Sequence, residues 1–554
     1  MGLSNTKKTC SFRKLSDILP GNSLDTLKVR VAALKQLVKD STELGEDMSG
    51  IVAELRAVPA AGEEQFLFTP QLGLNVQLLK TIFRDCDDVK FRFFKTAGRQ
   101  ALLVTLDGMT DTPTLEDNIL QPLMQAPAGN FDLRRFVEER LTVTNVTIED
   151  QGSAAIEALM SGNALVMIDG IADILSVSAT KHVKRSVSTP VTEENIRGPQ
   201  DAFNETLADN IVLIRRRAKD TNIKVRVITV GTRSKTSVAV IYSAALVKPG
   251  LVEEVERRIK DLKVDQVLVS KVVEDAMVDH PWTPFPQLDV TERPEKVVAA
   301  VYEGRVGVLV DNTPFSIIVP CTYASMMNAV EDYTMPASVA CLVRVSRHVA
   351  AFIAIYTPAL YIAIVSFHPG MLPTGLAISL AELRARTPFP SFLEAIIMEI
   401  MLELFQESVA RLPKKLSSAA SMVGAFVIGT TVVQAGLVNP FLVVVTAITA
   451  IASYVMPHYS LGLALRSLRI PILFLASTLG LYGVMLGVII ITVHLCSLKN
   501  FGESYLGGIL DVNLLTDWKD GFVRLPHKFM KSRPVEFGAQ DKKRRGDGTD
   551  YGQS

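Results

Sequence analysis

Cysteine, histidine and tryptophan are all scarce in this chain of 554 residues, at five, seven and two. Cys10, Cys86, Cys321, Cys341 and Cys496 form no pair at metal or redox spacing. They read as reduced thiols packed as small hydrophobes, with no disulfide framework. The sequence also lacks a GxxxxGK[ST] loop, a GxGxxG after a strand, and a His/Cys cluster at ligand spacing, so no nucleotide, metal or other cofactor is expected. No nucleophile stands with a base, and an enzyme is not expected. An excess of one charge is missing as well: 58 Lys+Arg balance 58 Asp+Glu, so bulk charge argues for neither nucleic acid nor an acidic partner, and no nucleic acid is expected. No apolar stretch follows MGLSNTKKTC, so no cleavable signal peptide is expected.

Apolar residues, by contrast, are plentiful and unevenly placed. Hydrophobic residues make up 48% and charged residues 21% of the chain. Residues 1–335 hold most of the charge and read as soluble; residues 336–500 hold most of the long apolar runs. Residues 1–65 have apolar positions at helical spacing and predict an N-terminal helical arm. Residues 66–190 alternate helix and strand and predict a first soluble α/β lobe, in which Thr114 is expected to cap a helix. Asp107–Gly108 and Asp169–Gly170 each end a strand and read as turns. Residues 191–335 predict a second α/β lobe, with a hairpin around GTRSKT and a helix opened by Pro249. Arg215, Arg216 and Arg217 in that lobe read as a solvated helix face.

Four runs in residues 336–500 approach the roughly 20 residues that a bilayer requires. They are 349–367, 418–438, 440–456 and 470–495. An amphipathic helix near 390–411 lies between the first two, and residues 501–554 form a tail. The expected fold is therefore α+β with an α-helical membrane part: a two-lobed α/β domain, a bundle of about four transmembrane helices, and a short cytoplasmic tail. Four spans leave both ends on one side. Arg344, Arg347 and the basic tail, including KKRR at 542–545, make that side the cytoplasm. Lys414, Lys415, Arg466 and Arg469 would then fall outside, against the rule. The closing QDKKRRGDGTDYGQS is expected to be disordered.

Several stretches are similar to one family. ESVARLPKKLSSAASMVGAFVIGTTVVQAGLVNPFLVVVTAITAIASYVMP resembles the membrane core of the A subunits of the GerA family of spore germinant receptors. TPALYIAIVSFHPGMLPTGLAISLA, ENIRGPQDAFNETLADNIVLIRRRAKD and the tail from HLCSLKNFGESYL to KSRP resemble it too, over residues 75–534 in all. Members usually have SFGVPYL where this chain has NFGESYL. The resemblance implies an integral protein of the spore inner membrane with cytoplasmic termini. It implies a transporter-like B subunit and a lipoprotein C subunit as partners, a homo-oligomer, and nutrient-gated conduction of monovalent cations. The family also contains a stage V sporulation AF-type paralogue, which implies a second reading as a non-conducting scaffold.

On the second predicted span, Ala420, Val423, Val427, Thr431 and Gln434 share one helical face, expected to line a pore if subunits ring an axis. Ser421, Gly424, Ala425 and Gly429 form a neighbouring face of small residues suited to helix packing. Glu399, Glu403 and Glu407 recur at i, i+4 on the preceding helix, followed by Arg411. In a ring of subunits they would form a cation vestibule on the outer side; the other reading is salt bridging, Glu407 to Arg411 within the helix and the others to a partner subunit. His368 reads as a cap at the end of the first span.

Overall fold

The computed structural model describes residues 67–127, 131–143, 145–179, 190, 193, 197–413, 417, 419, 422, 424, 426–507, 524–530 and 532–544. The expected helical arm at 1–65 lies outside them. The described residues fall into two compact units, one running to Ala179 with Lys219–Thr221, the other comprising the rest.

In the first unit, α1 (Leu72–Ile82) precedes the hairpin β1 (Val89–Thr96) and β2 (Arg99–Leu106), which pair antiparallel along their whole length. A helical stretch over 112–124, then α2 (Leu133–Arg140), β3 (Val146–Glu149), α3 (Gly152–Met160), β4 (Ala164–Ile168) and β5 (Ile174–Val177) follow. The sheet order is β1-β2-β4-β5-β3, antiparallel throughout. β4 and β5 are buried at every position, so their apolar runs show no alternation. Thr114 is not the cap: it lies in the first turn and donates its hydroxyl to Asp111 at 2.5 Å.

The second unit opens with the same design. α4 (Leu207–Arg217) precedes β6 (Ile223–Val230) and β7 (Thr236–Ser243); α5 (Leu251–Lys260), α6 (Ser270–Met277), β8 (Asp289–Thr291), α7 (Pro294–Tyr302), β9 (Val306–Val310) and β10 (Ser316–Val319) follow. Its sheet order, β6-β7-β9-β10-β8, matches the first sheet strand for strand. The hydrogen bonds repeat as well. Asn75 accepts from the Thr69 amide at 3.0 Å and donates to the Thr69 carbonyl at 2.7 Å. Asn210 does the same with Asn204, at 2.8 and 2.7 Å. Asp169 and Asp311 each accept the first helical amide, from Leu72 and Leu207, both at 3.1 Å. The residue after each aspartate has positive φ, 83° at Gly170 and 66° at Asn312. The two lobes are structural repeats of one antiparallel α+β unit. Arg215 is no solvated residue; it is buried and donates to the Ile223 carbonyl at 2.9 Å.

The same unit continues into an apolar helical domain. It contains α8 (Ala337–Phe367), α9 (Thr374–Arg384), α10 (Ser391–Arg411), α11 (Pro440–Tyr454), α12 (Tyr459–Leu479) and α13 (Leu481–Ser497). Among the described residues, α8 and α12 are long and apolar enough to cross a membrane, and α11 and α13 are shorter apolar helices. α8 runs unbroken through Pro358 and begins twelve residues before the predicted span at 349. The predicted span at 470–495 is not one helix. Gly480, at φ +61°, ends α12 and starts α13. A β-carbon on Gly483 would meet the Leu475 backbone, and one on Gly487 would meet Ile472 at 3.4 Å. That pairing is antiparallel, so the two helices form a close hairpin.

Beyond α13, the chain returns to the second lobe. Tyr505 is buried and its carbonyl accepts from the Tyr323 amide at 2.8 Å. Gln540 bonds to the backbone of Leu246 and Val247. The head of the closing stretch, residues 540–544, is therefore docked and ordered where the sequence predicted disorder.

Candidate site in the apolar helical domain

α10 carries the acidic series, and each carboxylate has a different setting. Glu394, in the first turn, is buried; it accepts from the Thr387 hydroxyl at 2.8 Å and the Asn439 amide at 3.0 Å. Glu399 is buried opposite Arg469 of α12, with Nη1 to Oε2 at 2.9 Å. Arg469 also donates to the Ala354 carbonyl of α8 at 2.6 Å and to the Ser453 hydroxyl of α11. One guanidinium thus ties four helices. Glu403 lies 3.7 Å from Arg466, which also donates to Gln406, and Glu407 pairs with Arg411 at 2.5 Å.

The expected vestibule therefore divides. Glu399 is not at a mouth; its pairing with Arg469 puts it inside the helical packing. Glu403 and Glu407 remain 56% and 54% exposed. Arg469, expected on the outer side, is likewise inside the packing. In the sequence it reads, with Arg466, as a topology marker because both sit at the edge of an apolar run. Its partner could be found only in three dimensions.

α10 lies against the stretch that follows it. Phe405 covers Gly424, where no β-carbon fits, and Val432 shares a buried cluster with Ala395 and Met398. Gly424 is thus a close-packing residue, while Gly429 has open space around it. Val427–Thr431 forms a π-helical turn leading to Val432–Gln434. Thr431 and Gln434 are exposed. Ala420, Ser421, Val423 and Ala425 lie outside the described residues, as does the side chain of Val427. Exposed polar groups of this helix pair, among them Glu403, Glu407 with its partner Arg411, Thr431 and Gln434, stand among exposed apolar ones, including Leu404 at 63% and Phe426 at 67%.

Two further clusters join the helices to the second lobe. Asp332, fully buried, accepts from Arg344 at 3.2 Å and Arg347 at 2.7 Å, so these two arginines of α8 are buried partners rather than free flanking charges. Arg524 of the tail donates to the carbonyls of Asp332, Met335 and Tyr333. The second cluster lies at the turn before α12. Lys296 of α7 donates to Asp289 at 2.7 Å and to Nε2 of His458 at 3.0 Å. Burial opposes the charge on Asp289, yet Lys296, His458 and Arg305 hold its carboxyl down at about 2. Burial, with the charge on Lys296, lowers His458 to about 4 against the pull of Asp289. A neutral imidazole is also what lets Nε2 accept from the ammonium. His368 takes the cap position after α8, with Nδ1 3.2 Å from the Ala363 carbonyl. Among the described residues no group of His, Cys, Asp and Glu could hold a metal ion.

The family model described as Bacillus/Clostridium GerA spore germination protein matches residues 77–536. An uncharacterized membrane protein, YfkQ, of Bacillus subtilis (strain 168) is 36% identical over 84% of this chain and 91% of its own length. Spore germination protein B1 of the same organism is 35% identical over 84% of this chain and 97% of its own. The crystal structure of the N-terminal domain of the A subunit of the Bacillus megaterium spore germinant receptor GerK3 is similar with a TM-score of 0.38 and 28% identity, over 47% of this chain and 98% of that one.

Proposed function

This chain belongs to the GerA family of spore germination proteins, as an A subunit, and from that premise we propose that it oligomerises in the spore inner membrane and forms a nutrient-gated path for monovalent cations. Its partners in this reading are the B and C subunits of a germinant receptor. Both termini are cytoplasmic in this reading.

The observation that carries the reading is the exposed polar series on α10 and the stretch after it. Glu403, Glu407, Thr431 and Gln434 are exposed on a surface otherwise rich in apolar side chains. Charged groups facing hydrocarbon are costly, so such groups in a membrane domain face a partner or water. Copies arranged about an axis would turn this helix pair inward and bring their carboxylates together, and rings of carboxylates favour cations. The buried Glu399–Arg469 pair would then hold α10 to the packed bundle behind the path. Potassium release from dormant spores carrying Val423→Ala, without nutrient, tests the reading.

A further inference from the structure

Trp282 is 97% exposed, the most exposed large apolar side chain among the described residues. It is not on a loose loop. His280, Pro281, Trp282 and Thr283 form a turn closed by the Thr283 amide on the His280 carbonyl, 3.3 Å, with proline in a position that turns favour. Buried Gln287 clamps the base of the turn. Its Oε1 accepts from the amides of Asp279 and His280 at 3.2 and 3.0 Å, and its Nε2 donates to the His280 carbonyl at 2.7 Å. Asp279 is held in turn by Arg258 at 2.6 Å and by the Phe501 amide at 3.1 Å. Phe285, three residues past the tryptophan, is buried in the core shared with α8, α12 and α13.

The turn is also fixed in height against the apolar helices. The Thr283 hydroxyl lies 2.8 Å from Nε2 of His494, in the last turn of α13. Just before His494, α13 exposes Ile489, Ile490 and Val493 at 54%, 53% and 62%. Just after it come Ser497 and Lys499, both exposed. Half-buried Leu495 and exposed Cys496 intervene, so the apolar belt of α13 ends within one turn of the residue that Thr283 grips. Trp282 is the next residue, about 3.8 Å along the backbone. An indole has an apolar body and one N–H donor, and tryptophan concentrates at the boundary between hydrocarbon and water. We propose that Trp282, on its clamped turn, inserts into the lipid headgroup boundary beside α13 and anchors the second lobe at a fixed height on the membrane. The proposal rests on the reading of α13 as a membrane helix. Its ligand is the bilayer interface itself.

The test uses the full chain reconstituted in phosphatidylcholine vesicles. Trp518→Phe leaves Trp282 as the single indole. The account predicts quenching of its emission by lipids brominated near the headgroup end of the acyl chain, and weak quenching by aqueous iodide. Strong iodide quenching without bromolipid quenching overturns the anchor; resistance to both means that protein covers the indole, and overturns it equally. A second chain, Trp282→Phe with Trp518→Phe and Ile490→Trp, reports on α13 itself. If that chain is quenched by bromolipid while Trp282 is not, the anchor fails and the membrane reading stands. If neither is quenched, the membrane reading fails. Should Trp518→Phe not assemble, the loss of bromolipid quenching between the natural chain and Trp282→Phe gives the same answer.

Discussion

Arg469 meets Glu399 inside the helical domain at 2.9 Å, each side chain less than a tenth exposed. The same guanidinium holds carbonyl and hydroxyl oxygens of α8 and α11. Four helices are thereby tied to one another by a single charged side chain.

Breaking a buried ion pair from one side leaves the other charge uncompensated and costs about 3–5 kcal/mol, whereas replacing both partners with apolar residues of similar volume is often neutral. Glu399→Gln is therefore expected to lower the thermal midpoint of the purified protein sharply. Glu399→Leu combined with Arg469→Met is expected to recover much of that loss. Differential scanning fluorimetry in one detergent compares these with Glu399→Leu and Arg469→Met alone; a double variant as unstable as the sum of those two single ones would contradict the pairing.

The cluster before α12 predicts an acid-sensitive joint. His458 is neutral in the folded chain, with its titration lowered to about 4, while an unfolded histidine titrates near 6.5. Between those values the unfolded state binds more protons than the folded one, so stability rises with pH across this window and is lost on acidification through it. The loss amounts to at most about 3 kcal/mol by pH 4. Asp289 adds slope only at the acid end of this window, below about pH 5, where its lowered titration contributes stability that is lost progressively as pH falls toward about 2. Urea midpoints measured from pH 7 to pH 4 check this, with His458→Gln expected to flatten the dependence. An unchanged slope in that variant would assign it to other groups.

The hairpin of α12 and α13 turns on small residues. A β-carbon on Gly483 would strike the Leu475 carbonyl, and Gly480 has a positive φ with Phe367 3.0 Å from a would-be β-carbon. Gly483→Leu is expected to separate the helices and reduce the amount of assembled protein in the membrane fraction, whereas Gly429→Ala, in open space, should leave it unaltered. Immunoblots of membrane fractions distinguish the two; equal levels would show that the hairpin tolerates a wider gap.

The sequence revealed elements more readily than partners. The hairpins at 89–106 and 223–243 follow from alternating apolar runs around short turns, and α10 from its 3–4 spacing. β3 and β8 were missed because they are four and three residues long. The repeat of the lobes was hidden because the matching features are single polar residues, Asn75 with Asn210 and Asp169 with Asp311, set in otherwise different sequences. The break at Gly480 was hidden because apolar residues continue on both sides, so periodicity runs through it. Burial of Glu399, Arg344 and Arg347 could not be read from spacing: Glu399 depends on Arg469 of another helix, and the two arginines on Asp332, which lies before the start of α8.

The central claim is that the stretch after α10 lines a gated cation path. Potassium release from dormant spores carrying Val423→Ala, without nutrient, tests it most directly. Spontaneous release, suppressed when the N-terminal lobes are removed, is the expected result. Retention of potassium in spores where the altered protein is present and assembled would contradict it.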